Sequence, residues 1–124
     1  MNAVYDITTG IIPLRLDDEV DALLHSDSLK KNGRSARLLL EHGGELRLLM
    51  VALAPGASML EHSVDGPALV QAIRGDLILR AGPDAWALQP GELLSIAAGL
   101  DHSVETVGGC VILVVVQGSG ELHL

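Results

Sequence analysis

The side chains able to do chemistry in this chain are few. There are five histidines, at 25, 42, 62, 102 and 123, and a single cysteine, Cys110. A pair of imidazoles can trade protons near neutral pH or hold a divalent metal weakly. One cysteine excludes an intrachain disulfide. Because Cys110 opens the run Cys110-Val111-Ile112-Leu113-Val114-Val115-Val116, its expected fate is burial rather than nucleophilic attack. His25 falls near the end of an expected helix and His123 near the C-terminal leucines, both expected at the surface. The signatures of phosphate cradles, dinucleotide binding, serine hydrolases and zinc proteases are absent from the sequence.

The elements that must position these groups read mostly as strands. Residues 1–16 look extended. Asp17 is placed to cap a short helix with acids in its first turn and an apolar stripe of Val20, Leu23 and Leu24. Ser26-Asp27-Ser28 ends it, and Lys30–Gly33 reads as a loop. Short apolar runs broken by glycine and proline then predict strands over 37–41, 45–54, 58–62, 69–73, 77–80, 86–88, 93–97, 103–107 and 110–117. Turn signals at this rhythm mark an all-β sandwich or barrel. The expected organisation is one domain: an arm and helix over 1–36, a barrel over 37–118 and a tail over 119–124.

Composition narrows the function classes. The chain has 124 residues, 48% of them apolar, and a net charge of −8, so a nucleic-acid partner is disfavoured. Tyr5 and Trp86 are the only aromatic residues, leaving no stacking platform for bases and an aliphatic core. Trp86 reads as a rim or interface anchor. The basic residues cluster: Lys30, Lys31, Arg34, Arg37 and Arg47 stand against Glu41 and Glu45, and a solvated loop and strand start is the expected reading. Arg74 reads as a solvated turn residue, and Gln71 as facing away from the interior. No leader-like segment opens the chain and no apolar run suits a membrane helix, so a cytoplasmic protein without membrane partners is expected.

Two segments carry a resemblance. Gly56, five residues, His62 and a closing Gly75 fall in the frame of the first cupin motif, G-x5-H-x-H-x(3,4)-E-x6-G. Gly91, Ala97, Gly99, His102 and Thr106 fall in the frame of the second, G-x5-P-x-G-x2-H-x3-N, and residues 76–90 separate the two. The chain thus resembles small single-domain bacterial cupins with one His per motif. The resemblance implies a jelly-roll β-barrel. In metal-binding cupins the motifs supply three His and one Glu. Here Val64 stands at the second His, Ala68 at the Glu, Ala97 at the Pro and Thr106 at the Asn.

Strand alternation extends this to a site. With His62 inward, Ser58, Leu60 and Val64 share its face; Ala68, Val70 and Ala72 follow on the next strand, and His102, Val104 and Thr106 on the second-motif strand. The expected ligand-binding set is therefore His62, His102, Ser58, Leu60, Val64, Val70, Val104 and Thr106, two imidazoles above an aliphatic floor. His62 and His102 are the metal-ligand candidates for a weakly held divalent ion (Zn, Fe, Mn or Ni). Glu61, Asp101 or His42 would have to supply a third donor. The expected function is small-molecule binding in the barrel. A metal-dependent dioxygenase or isomerase and a sensor or interaction subunit stand as alternatives. A homodimer is expected, formed through strands or the apolar arm.

Overall fold

The computed structural model describes residues 5–6, 10–62 and 65–118, with the side chains of 5, 6 and 60–62 left out of the description. Two short helices precede a β-sandwich. Strands β1 (Tyr5–Asp6), β2 (Arg34–His42), β3 (Leu46–Leu53), β5 (Ala68–Gly75), β8 (Leu93–Ile96) and β10 (Cys110–Gln117) form one sheet in the order β1-β2-β3-β10-β5-β8. Strands β4 (Ser58–His62), β6 (Leu77–Ala81), β7 (Asp84–Leu88) and β9 (His102–Glu105) form the other, in the order β4-β9-β6-β7. All pairings are antiparallel except β1 with β2. The chain passes from β3 to β4, β5 to β6, β7 to β8 and β9 to β10. Each strand of the smaller sheet is therefore joined to the strand at the matching place in β3-β10-β5-β8, which is the jelly-roll arrangement.

Period-2 alternation fills the space between the sheets. Leu49, Val51 and Leu53 of β3, Val70 and Ala72 of β5, Leu77 and Leu79 of β6, Val104 of β9 and Ile112 of β10 are all buried there. The opposite face of the large sheet presents Met50, Ala52 and Val111. Helix α1 (Leu16–Leu24) lays Val20 and Leu23 on them. Burying those two side chains contributes roughly 1.5–3 kcal/mol each. Ion pairs Arg37–Glu19 at 3.3 Å and Arg74–Asp17 at 2.7 Å tie the helix to the sheet, so Arg74 is exposed but engaged.

The N-terminal region differs from its expected form. Asp17 lies inside the first turn of α1 and Arg15 occupies the cap position without a side-chain bond. Ser26-Asp27-Ser28 does not stop helical structure. The Ser26 hydroxyl accepts from Leu29 N and opens a second helix, α2 (Asp27–Asn32), that Gly33 closes in a left-handed conformation. Lys30 and Lys31 sit in its last turn, where the helix dipole favours cations. Strand β2 therefore begins at Arg34, before the expected Arg37. The remaining strands match their expected spans within a few residues.

The turns gather at two ends. At one, Gly56 N donates to Val107 O and Thr106 N to Ala57 O. At the other, Gly118 N donates to Glu45 O and Gln117 N to Pro67 O. Gly75 packs closely against Gly109 at the first end. Its φ is +69°, and a Cβ there would collide with the Gly109 carbonyl oxygen. Gly82 has a φ of +58° but faces open space. Gly75→Ala should lower unfolding free energy by about 2 kcal/mol or more, and Gly82→Ala by about half that. Urea denaturation of the two variants checks this; equal losses would contradict the close approach of Gly75 to Gly109.

Candidate functional site

His102 begins β9 and is 5% exposed, one of the few polar residues buried in the sandwich. Its Nδ1 lies 3.0 Å from the Leu100 carbonyl oxygen. A carbonyl only accepts, so Nδ1 donates this bond and carries a proton.

The register of β4 on β9 places His62 opposite this ring. Ser58 pairs with Glu105, Met59 with Val104, and then His62 with His102. Three steps along β4 match two along β9, so β4 carries a bulge. The bulge corrects the simple alternation expected from sequence. Met59, not Ser58, is buried beside Val104, while Ser58 is exposed. The extra residue then shifts the phase, and the even-numbered His62 comes level with the inward-facing His102. The side chains of Leu60, Glu61 and His62, and all of Val64, lie outside the described residues.

The other candidates separate along the barrel. Val70 and Val104 are packed in the core with Ala68 and Ala72. Thr106 is buried, but at the end away from His102. Its hydroxyl donates to the Asp76 carbonyl oxygen at 2.8 Å. Ser58 borders an open groove of about 850 Å³ at that same end, together with Gly56, Asp76, Glu105 and Val107. The expected set is thus divided: the two histidines mark one end, and Ser58 and Thr106 the other.

Cys110 is buried as expected. Burial pushes its thiol pKa up, partly offset by a hydrogen bond with Thr106. His25 is exposed, its Nδ1 2.7 Å from the Asp21 carbonyl oxygen. Trp86 is 44% exposed on β7, an edge strand of the smaller sheet.

Arg47 is the residue that sequence reading placed wrongly. It is not part of a solvated basic face. Glu41, Arg47, Val116, Ala68 and Ile96 are successive Cα partners across β2, β3, β10, β5 and β8. Val116, Ala68 and Ile96 in that row are core residues, so Arg47 occupies the inward face at the end of β3. It is partly buried, with its Nε fully so. The signal was available: Leu49, Val51 and Leu53 continue its alternation.

Among the described residues no closed metal site is assembled. Zinc and non-haem iron want three or more protein donors. Ala68 is a buried methyl in the core, and neither it nor Val64 has a lone pair to give. Asp101 is exposed, and His42 is exposed at the end of β2 rather than in a turn. Among the described residues no three His, Cys, Asp or Glu groups come together; the His62 side chain is not among them.

Comparison with solved structures places the fold. A cupin-2 domain containing protein from Shewanella frigidimarina matches with a TM-score of 0.68 and 17% identity, over 84% of this chain and 93% of that one. A conserved protein of unknown function from Streptococcus pyogenes matches at 0.66 and 18%, over 92% and 94%. The polyketide cyclase RemF from Streptomyces resistomycificus matches at 0.65 and 19%, over 73% and 69%. No family model and no curated protein matches the sequence. The chain therefore has the cupin fold, an all-β jelly-roll barrel with a small helical region. No helix among the described residues is long and apolar enough to cross a membrane.

A raised thiol pKa stabilises the fold below the thiol's ordinary value and is lost as pH climbs past it. Stability should therefore fall above about pH 9, where only the unfolded thiol ionises freely. In native protein at pH 8, Cys110 should resist a chromogenic disulfide reagent and react once urea unfolds the chain. Rapid stoichiometric labelling of native protein would contradict its burial.

Proposed function

We propose that this protein binds a small molecule at the end of the barrel marked by His62 and His102, without converting it. The single observation carrying this reading is the β4–β9 register, in which residues far apart in sequence become cross-strand partners. Directly opposed residues of an antiparallel pair share a face, with Cβ atoms about 4.5–5.5 Å apart. The aliphatic interior beneath them favours the apolar part of a guest, and the imidazoles its polar part. The Nδ1–H bond of His102 to the Leu100 carbonyl holds the orientation of that ring.

The enzyme alternative, a metal-dependent dioxygenase or isomerase, has less support. It needs donors that Val64 and Ala68 lack, and no nucleophile stands in the described surroundings of His102. A divalent ion held by two imidazoles alone would be weak and poorly selective.

A thermal-shift screen of small carboxylates and sugars tests the binding reading. A ligand at a hundredfold excess over its Kd adds about 2.7 kcal/mol to native-state stability and raises the melting temperature by several degrees. The shift should disappear in a variant carrying both His62→Ala and His102→Ala. Hits that all survive in that variant would move the site elsewhere.

The expected homodimer is also proposed. Leu69 and Leu93 are exposed on strands β5 and β8, and Ile11 on the arm, all surfaces a second copy would cover. Light scattering at tens of micromolar should return twice the chain mass; a monomer mass overturns it.

A further inference from the structure

We infer that the open groove at the end of the barrel away from the histidines binds a primary amine carried on an apolar body, with Asp76 as its counter-ion. This site is separate from the one proposed above, and neither depends on the other.

The groove has a volume of about 850 Å³, within the range of small-molecule sites. Its floor is the outer face of the smaller sheet. Ser58, Glu105, Ile78 and Ala87 are successive Cα partners across β4, β9, β6 and β7, and all four border the groove. Their strand neighbours Leu77 and Val104 point the other way, into the core. Helices α1 and α2 pack on β2 and β3 of the other sheet. Beyond the strand ends two turns form the walls, Gly75-Asp76 and Val107-Gly108-Gly109. The Thr106 hydroxyl ties them together by donating to the Asp76 carbonyl oxygen at 2.8 Å. Space stands open beside Gly108, where a Cβ would meet no heavy atom within 4 Å and φ is not left-handed.

The lining sets the charge of the guest. Among the described residues its charged members are Asp76 and Glu105, both acids. Arg80 donates twice to Oε1 of Glu105, at 2.9 and 3.1 Å, and leaves Oε2 open. The Asp76 carboxylate is exposed and has no ion pair or hydrogen bond among the described residues. The Ser58 hydroxyl, likewise without a partner among them, belongs to the residue opposite Glu105. A primary ammonium has three N–H donors, and these three oxygen groups all accept. No aromatic ring borders the groove among the described residues. A quaternary ammonium has no donors and favours ring faces, so it suits the groove less. Ile78, Ala87 and Val107 offer contact to the apolar body of the guest. The net charge of −8 draws cations to the protein and repels anions.

Four probes on one ring isolate the charge and the donors. Benzylamine, charged at pH 7, is compared with benzyl alcohol, benzyltrimethylammonium and benzoate, each up to tens of millimolar, by titration of amide NMR resonances. The proteins are the natural chain, Asp76→Asn, Gly108→Phe, and Asp84→Asn as a control whose acid lies outside the groove. Benzylamine should perturb amides over 75–78 and 105–109 and bind at least about threefold more tightly than the other probes. Asp76→Asn should weaken it about threefold or more while keeping the backbone carbonyl that Thr106 uses, and Asp84→Asn should leave it unchanged. Gly108→Phe fills the open space and should abolish binding. Its melting temperature shows whether it folds, and Asp76→Asn keeps the test decisive if it does not. Equal binding of amine and alcohol, tighter binding of the trimethylated probe or of benzoate, or equal losses in Asp76→Asn and Asp84→Asn overturn the inference. So do perturbations centred on His102, or no binding of benzylamine. A Gly108→Phe variant that loses dimer mass, in a protein that binds no amine, overturns it as well and assigns the groove to a second copy of the chain.

Discussion

One extra residue in β4 decides what the mouth of the barrel presents. Strict alternation would put Met59 and His62 on opposite faces, and Met59 is held in the core beside Val104. The bulge absorbs the mismatch and brings His62 level with His102. A shift of one residue reverses the facing of everything beyond it, so the proximity of the two histidines depends on this irregularity rather than on sequence spacing.

The rest of the interior leaves little room for other chemistry. Its residues are Leu, Val, Ile and Ala with Met59 and Cys110, packed between sheets of unequal size. Among the described residues no carboxylate is buried. Thr106 bonds the Asp76 carbonyl, and His102 the Leu100 carbonyl.

The outer face of the large sheet is governed by a different constraint. Met50, Ala52 and Val111 must be covered, and α1 does so with Val20 and Leu23. The acids of its first turn, Asp17 and Glu19, then meet Arg74 and Arg37 on the sheet. Two pairs of charges far apart in sequence are therefore partners across the helix–sheet interface. Arg47 lies on a strand whose parity turns it inward.

The sequence by itself determined the class of fold. Glycine and proline turns punctuate runs of period 2, and both are local effects, so most strands and the aliphatic core were legible without coordinates. The spacing of His62 and His102 within the two motif frames was legible for the same reason, as was the burial of Cys110. Helix α2 was misread because Ser26 is equally at home ending one helix and capping the next. Only the tertiary structure decided the phase of β4 and the separation of Ser58 and Thr106 from the histidine end. Each of these depends on which residue of a distant strand lies opposite, and register is set by the joint packing of both sheets rather than by any local preference.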